Sequence, residues 1–383
     1  MSELLMHFEE QKQNMVDMLT ELIEHETPTR EKAHVDVLGS YMEGQFRGLG
    51  ASSTQRIPMT VVGDMLLAKW NENAPGQPIL FLIHIDTVWP LGTLAERPVT
   101  IDEDGRLFGP GAVDMKGGIT IVLSAIRGLV ERGELPERPI WVLMTTDEEI
   151  GSEFSMPVIR EVGSQAGLVL VMEPGTKEGA LKTWRKGMAV YRVRVTGRAA
   201  HAGNAPEQGI NAIIEAAQQA IAINKLNDLR NGTSVSVTMA EGGSAMNVIP
   251  ASAALTVDTR FLTQKEMDRV LAQIESMQPM LPGAELQVDV VHQRGPMEHN
   301  DQMKATYAQA KAIGEKYGLV IREDGSGGGS DGNITASMGI ATLDGLGPQG
   351  DGLHALHEHV VINSLPQRAA LIAGILKDWV FPA

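Results

Sequence analysis

A chain of 383 residues is too long for one ordinary hydrophobic core and suits two domains. Its 48 acidic against 32 basic residues leave a formal net charge of −16, which argues against a nucleic acid or an anionic membrane surface as partner. Cysteine is absent, which excludes disulfides and thiolate metal sites, leaves His, Asp and Glu as ligands, and fits a cytoplasmic address.

From Met1 to Glu26 the chain sets Leu4, Leu5, Phe8, Met15, Met18, Leu19, Leu22 and Ile23 among Glu9, Glu10, Asp17 and Glu21. This pattern predicts an amphipathic helix and lacks the basic start of a secretory signal. No apolar run approaches the roughly 18 residues of a membrane span. Three shorter apolar runs follow, and each stops at a potential metal ligand. Pro78–Ile83 runs into His84 and Asp86, Ile140–Met144 into Asp147, Glu148 and Glu149, and Gly167–Met172 into Glu173. Such runs read as strands of a sheet covered on both faces. In open α/β sheets ligands bind beyond the carboxyl ends of the strands, so these groups should converge on one crevice. A further carboxylate, Asp114, lies in the glycine-dense turn Gly109–Gly118, ahead of a predicted helix Ile119–Arg132. With a second helix over Phe154–Val162, the alternation predicts a doubly wound α/β layer.

The period changes after about Leu181. A strand with one covered face is predicted over Trp184–Thr196, then a helix over Glu207–Leu226 whose buried stripe is Ile210, Ile213, Ile214, Ala217, Ile221 and Asn224. Strands at Thr233–Ala240 and Ala251–Phe261, a helix at Gln264–Met277 and a strand at Glu285–His292 complete a βαββαβ order, that of a ferredoxin-like sandwich. From Arg294 a helix at Gln302–Tyr317, a strand near Leu319–Ile321, a glycine-rich run Gly325–Gly332 and a last helix at Leu365–Trp379 resume the first pattern. The expected division is 1–181 and 294–383 for an α/β catalytic domain and 182–293 for an inserted α+β domain. The glycine-rich run, between strand and helix, is expected to face a substrate.

A single acid after a strand is most often a helix cap or a solvated loop residue, and a single histidine there is often structural. Ordered motifs carry more weight. His84-Ile85-Asp86, Gly109 to Gly117 around Asp114, Thr145 to Ser152, Met172-Glu173-Pro174, Gly197 to Gly203 around His201, Asn247-Val248-Ile249-Pro250, Asp258-Thr259-Arg260, Gly329 to Asn333, and His354 followed by Glu358 resemble, in order, the signatures of the M20 family of co-catalytic zinc peptidases and deacylases. The glutamate carboxypeptidase branch is the most similar.

The resemblance implies two Zn²⁺, with Co²⁺ or Mn²⁺ as tolerated substitutes. His84, Asp114 and Glu173 would hold one, and Asp114, Glu149 and His354 the other, with Asp114 bridging. Asp86 would orient His84, and Glu148 would be the general base. His354 is selected over His357 and His359 by its place before Glu358. The resemblance further implies a homodimer formed through the inserted domain, with His201 donating to the oxyanion of the partner's substrate. Asn247 and Arg260 would hold substrate, although Arg260 also reads as a solvated strand arginine. Arg294 is a candidate clamp for a substrate carboxylate. The activity implied is release of a C-terminal glutamate-like residue from a peptide or N-acyl amino acid. An N-acyl amino-acid deacylase of the acetylornithine or succinyl-diaminopimelate type, a dipeptidase, and a non-enzymatic metal-binding scaffold are the alternatives.

Overall fold

The computed structural model describes residues 2–381. They divide into two compact units. The first runs to Thr183 and takes up again over His299–Gly325 and from Ser330 onward; the second is Trp184–Glu298 with Ser326–Gly329. These limits differ by a few residues from the expected 182 and 293, and the glycine-rich run, expected to lie wholly with the large domain, is shared between the units.

The first unit is built on a six-stranded sheet in the order Ser53–Ile57, Met65–Trp70, Ile140–Thr145, Ile79–His84, Leu168–Val171, Thr342–Leu343. The last four run parallel, as near-continuous apolar sequences covered on both faces do. Ser53–Ile57 and Met65–Trp70 pair antiparallel and form one edge, which the apolar pattern did not announce. The three ligand-ending strands are adjacent and in register, His84 opposite Thr145 and Leu82 opposite Val171. Helices Gly117–Glu131 and Ser364–Asp378 cover the sheet through one core that includes Ile119, Val122, Ile126, Leu371 and Ile375. The expected N-terminal helix is two, Glu3–Glu10 and Lys12–Glu24, parted at Gln11. Leu319–Ile321 is not a strand; pairing starts later, at Glu323–Ser326. Among the described residues no helix is long and apolar enough to cross a membrane.

The second unit is a four-stranded antiparallel sheet in the order Ser234–Gly242, Ser252–Phe261, Gly187–Thr196, Glu285–Arg294, with helices Ala212–Asn224 and Gln264–Glu275. That is the ferredoxin-like arrangement. One helix is turned about its axis relative to expectation. Ala212, Ala216 and Ile223 face the core with Glu215 and Gln219, whereas Ile213, Ile214 and Ile221 are 42%, 48% and 63% exposed. Hydrogen bonds decide this. The Glu215 carboxylate accepts from the backbone N–H of Met280 at 2.9 Å and Leu281 at 2.6 Å and from Gln219 Nε2 at 2.7 Å, so turning it outward would strand three donors. Two alanines on the inner face also let the helix lie close to the sheet.

The start of helix Gly117–Glu131 sits against the strand end that delivers Glu173. A Cβ on Gly118 would lie 2.1 Å from the Met172 carbonyl oxygen, a distance no carbon can occupy. Gly118→Ala is therefore expected to destabilise the protein by about 1–3 kcal/mol, the usual range for overpacking. Gly44→Ala, on the solvent face of helix Lys32–Gly48 with open space around its Cβ, should stabilise by about 0.4–1 kcal/mol. Urea unfolding midpoints that shift in opposite directions are the expected result.

Candidate metal centre

Each candidate ligand is delivered by a different local device. His84 closes its strand, and Glu173 follows Leu168–Val171 by two residues. Glu148 and Glu149 lie in a short helical turn closed by the Asp147 carboxylate, which accepts from Phe154 N at 2.7 Å and Ser155 N at 3.2 Å. Asp114 lies in the turn after Gly111, whose φ of +72° suits glycine. His354 itself adopts φ +58°, a left-handed conformation rare for a side-chain-bearing residue, of the kind that clusters at functional sites.

These devices converge. His84 Nε2 lies 3.2 Å from Asp114 Oδ1 and 3.4 Å from Glu173 Oε1. His354 Nε2 lies 3.3 Å from Asp114 Oδ2 and 3.0 Å from Glu149 Oε2. Asp114 thus offers one oxygen to each imidazole. Two sets of three, His84–Glu148–Glu173 and Asp114–Glu149–His354, each have donor atoms within 4.8 Å of one another. Glu148 stands beside His84 and Glu173, close enough to serve a water held there, while Asp114 faces both sets. His354 is singled out by its contacts with Asp114 and Glu149, whereas His359 packs its ring 5.1 Å from Phe108.

The electrostatics favour positive charge. Burial opposes the His84 imidazolium, yet hydrogen bonds with Asp114, Asp86 and Glu173 outweigh it and raise its pKa well above the ordinary value. Asp114 and Glu149 raise His354 to about 10. Burial pushes Glu149 up to about 7. Burial also disfavours the Asp114 carboxylate, but His354 and His84 hold it well below the usual range. The donor set fits a divalent ion of the zinc type: oxygen and imidazole nitrogen ligands, with neighbouring donors 3.0–3.4 Å apart where tetrahedral coordination at about 2.0 Å needs roughly 3.3 Å.

Two fully buried carboxylates hold these ligands in place. Asp86 meets His84 Nδ1 with its backbone carbonyl at 3.1 Å and its Oδ1 at 3.4 Å, and its carboxylate accepts from Thr29 Oγ1 at 2.8 Å and from the backbone N–H of Glu148 at 3.3 Å and Glu149 at 3.2 Å. It fixes the imidazole and the two-glutamate turn together. Glu358 accepts from Gly111 N at 2.9 Å, Val113 N at 3.1 Å, Asp114 N at 3.3 Å and Trp89 Nε1 at 2.8 Å. Arg97 stacks on Trp89 at 4.3 Å and donates to Leu356 O at 2.8 Å, tying the His354 loop to the same cluster. In the sequence Glu358 stands out only as a marker after His354. Its partners lie more than 240 residues away, and its apolar neighbours Val360 and Val361 give the one local hint of burial.

The remaining candidates lie in the second unit, in two places. His201 and Asn247 meet through the short ladder Ala200–His201 with Val248–Ile249, beyond the Thr196 end of strand Gly187–Thr196. Both are exposed, and His201 Nδ1 accepts from Gly203 N and Asn204 N at 3.1 Å. Arg260 and Arg294 flank Met188 at the opposite end of that strand, roughly 26 Å away along extended chain. Arg260 is engaged by Asp258 through two contacts of 2.9 Å, and Arg294 is buried. The expectation that Gly325–Gly332 faces substrate fails for its second half. Ser330 donates to Asp344 at 2.5 Å, and Asp331 accepts from Ser152 and Thr145, all of them buried.

Residues 80–378 match the model of Peptidase family M20/M25/M40. Carboxypeptidase G2 from Pseudomonas sp. strain RS-16 is 31% identical over 370 residues, 95% of this chain and 89% of its own length. Succinyl-diaminopimelate desuccinylase from Methylococcus capsulatus is 27% identical over 331 residues, 81% of this chain and 85% of its own. Two solved structures share the fold: aminopeptidase PepT from Bacillus cereus, with a TM-score of 0.77, 24% identity and 96% and 98% of the two chains covered, and the M20 metallo-carboxypeptidase Sso-CP2 from Sulfolobus solfataricus, with 0.67, 18%, and 95% and 98%. This chain therefore belongs to peptidase family M20, as a metal-dependent hydrolase of peptide or amide bonds.

Proposed function

We propose that the enzyme holds two divalent ions, zinc being the general choice of its family, and cleaves the amide bond beside a free carboxylate to release a C-terminal glutamate-like amino acid. The observation that carries the dinuclear reading is Asp114, whose two oxygens each face a different histidine. The substrate reading rests on similarity to carboxypeptidase G2, and turnover of N-acyl-glutamate against N-acetylornithine and simple dipeptides tests it.

His84, Asp114 and Glu173 would hold one ion, and Asp114, Glu149 and His354 the other. When bound, the ions would polarise the scissile carbonyl and ease deprotonation of water. Glu148 takes the proton of the attacking water and delivers it to the departing amine as the C–N bond breaks. Asp86 supports this by holding the Glu148 and Glu149 N–H groups and the His84 ring in one arrangement. Glu358 acts at one remove, fixing the backbone that carries Asp114.

His201 is the proposed donor to the developing oxyanion. With Nδ1 accepting two backbone N–H groups, its proton resides on the exposed Nε2, the tautomer a donor requires. The His201–Asn247 and Arg260–Arg294 pairs lie toward opposite ends of strand Gly187–Thr196, whose run from Met188 to Thr196 spans roughly 26 Å of extended chain, more than one small substrate covers. Two chains sharing each site accounts for both. The exposed isoleucines 213, 214 and 221 supply an apolar face for such a homodimer.

Chelation should abolish activity and Zn²⁺ should restore it, with two ions per chain at saturation by elemental analysis. Glu148→Gln is expected to retain both ions and lose about 10²- to 10⁴-fold in kcat, whereas Glu149→Gln should lose one ion. Equal metal loss in the two variants would end the split assignment. Glu358→Gln turns an amide nitrogen toward N–H donors and should weaken metal retention by about 10- to 100-fold against a competing chelator. Mixing inactive His201→Ala with inactive Glu148→Gln chains should recover activity once subunits exchange, because one site then has an intact base and a His201 from its neighbour. Confirmed heterodimers without activity would return His201 to a structural role.

A further inference from the structure

A second polar cavity, of about 300 Å³, opens in the first unit and includes none of the metal-centre residues. Its wall carries Ser364, Gln367 and Arg368 from the first turns of helix Ser364–Asp378, Gln349 from the preceding loop, and the backbone at Gly179. Arg368 is 7% exposed, and its Nη2 donates to the Gly179 carbonyl at 2.7 Å. That bond occupies one of the five N–H donors of the guanidinium. No carboxylate among the described residues forms an ion pair with it; Glu178, which also lines the cavity, is not within bonding distance. A buried arginine is almost always paired, because desolvating its charge is expensive. Here burial alone lowers Arg368 to about 10, with no neighbouring anion to offset it.

Arg368 lines the cavity, so its spare donors border that space. The helix adds to the field, since its first turns present the positive end of the macrodipole to the same space. We propose that this cavity binds a small oxyanion, a carboxylate or a phosphate, on the Arg368 guanidinium. A planar fork of donors matches either group, and the volume sits at the lower limit of small-ligand pockets. The guanidinium also packs beside Gly175, where an added Cβ would come within 2.8 Å of Nη2.

Leu5, Leu319 and Leu371 line the cavity and give a local readout. In metal-loaded, methyl-labelled protein, inorganic phosphate and free glutamate would be titrated separately, each against sodium chloride at matched ionic strength. The expected result is a saturable shift of these three leucine methyls with one or both anions, and the responding anion identifies the oxyanion class. Arg368→Gln should abolish the shift. Gln367→Glu, on an exposed side chain whose replacement does not disturb the core, should weaken it by about five- to tenfold by placing a negative charge at the mouth. Should Arg368→Gln fail to fold, the Gln367→Glu result decides. Absence of a saturable shift with both anions, or shifts that persist unchanged in the variants, would overturn the site.

Discussion

Negative charge crowded at the ends of three adjacent parallel strands is the constraint around which the first unit is arranged. Asp114, Glu149 and Glu173 approach two imidazoles within 3.0–3.4 Å in a largely buried space, and like-charged groups so placed repel unless positive charge is supplied. The carboxylates favour the charged form of both imidazoles, so His84 and His354 are both raised. A divalent ion supplies more and in the right geometry. The centre is thus built to be completed, and its ligands are held apart from one another by bonds to the rest of the fold.

Those bonds run to backbone amides. Glu358 gathers the N–H groups of Gly111, Val113 and Asp114, and Asp86 gathers those of Glu148 and Glu149. Each carboxylate fixes a turn at its main chain, leaving the ligand side chains little freedom to swing. A buried carboxylate with several N–H donors is well satisfied, whereas removing it leaves those donors without partners. Trp89 and Arg97 extend the arrangement from Glu358 to the carbonyl of Leu356, so the loop bearing His354, with its left-handed backbone, is tied to the same cluster.

In the second unit a polar pair sets the orientation of an apolar helix. Glu215 and Gln219 are buried because the loop at 278–281 presents backbone groups that only they satisfy. Ile213, Ile214 and Ile221 are displaced to the outside and leave an exposed apolar face. Strand Gly187–Thr196, ten residues long, places Arg260 and Arg294 beside its first residues and His201 beyond its last.

Much of this was open to sequence reasoning. Runs such as Ile79–His84 and Ile140–Thr145 are apolar without alternation, which only a sheet covered on both faces tolerates, and their terminal His, Asp and Glu follow from the rule that parallel strands present one end to a crevice. The βαββαβ order was legible for the same reason, since strand and helix periods are local. Three things were decided only by tertiary structure. The antiparallel edge strands Ser53–Ile57 and Met65–Trp70 depend on partners, not on their own pattern. The rotation of helix Ala212–Asn224 depends on Glu215, because with apolar residues on more than one side periodicity cannot choose the inner face. The role of Glu358 depends on amides some 245 residues earlier. Local sequence determined which elements form and which chemistry they carry; which group faces which, across long separations, was settled by the need of buried charges and amides for partners.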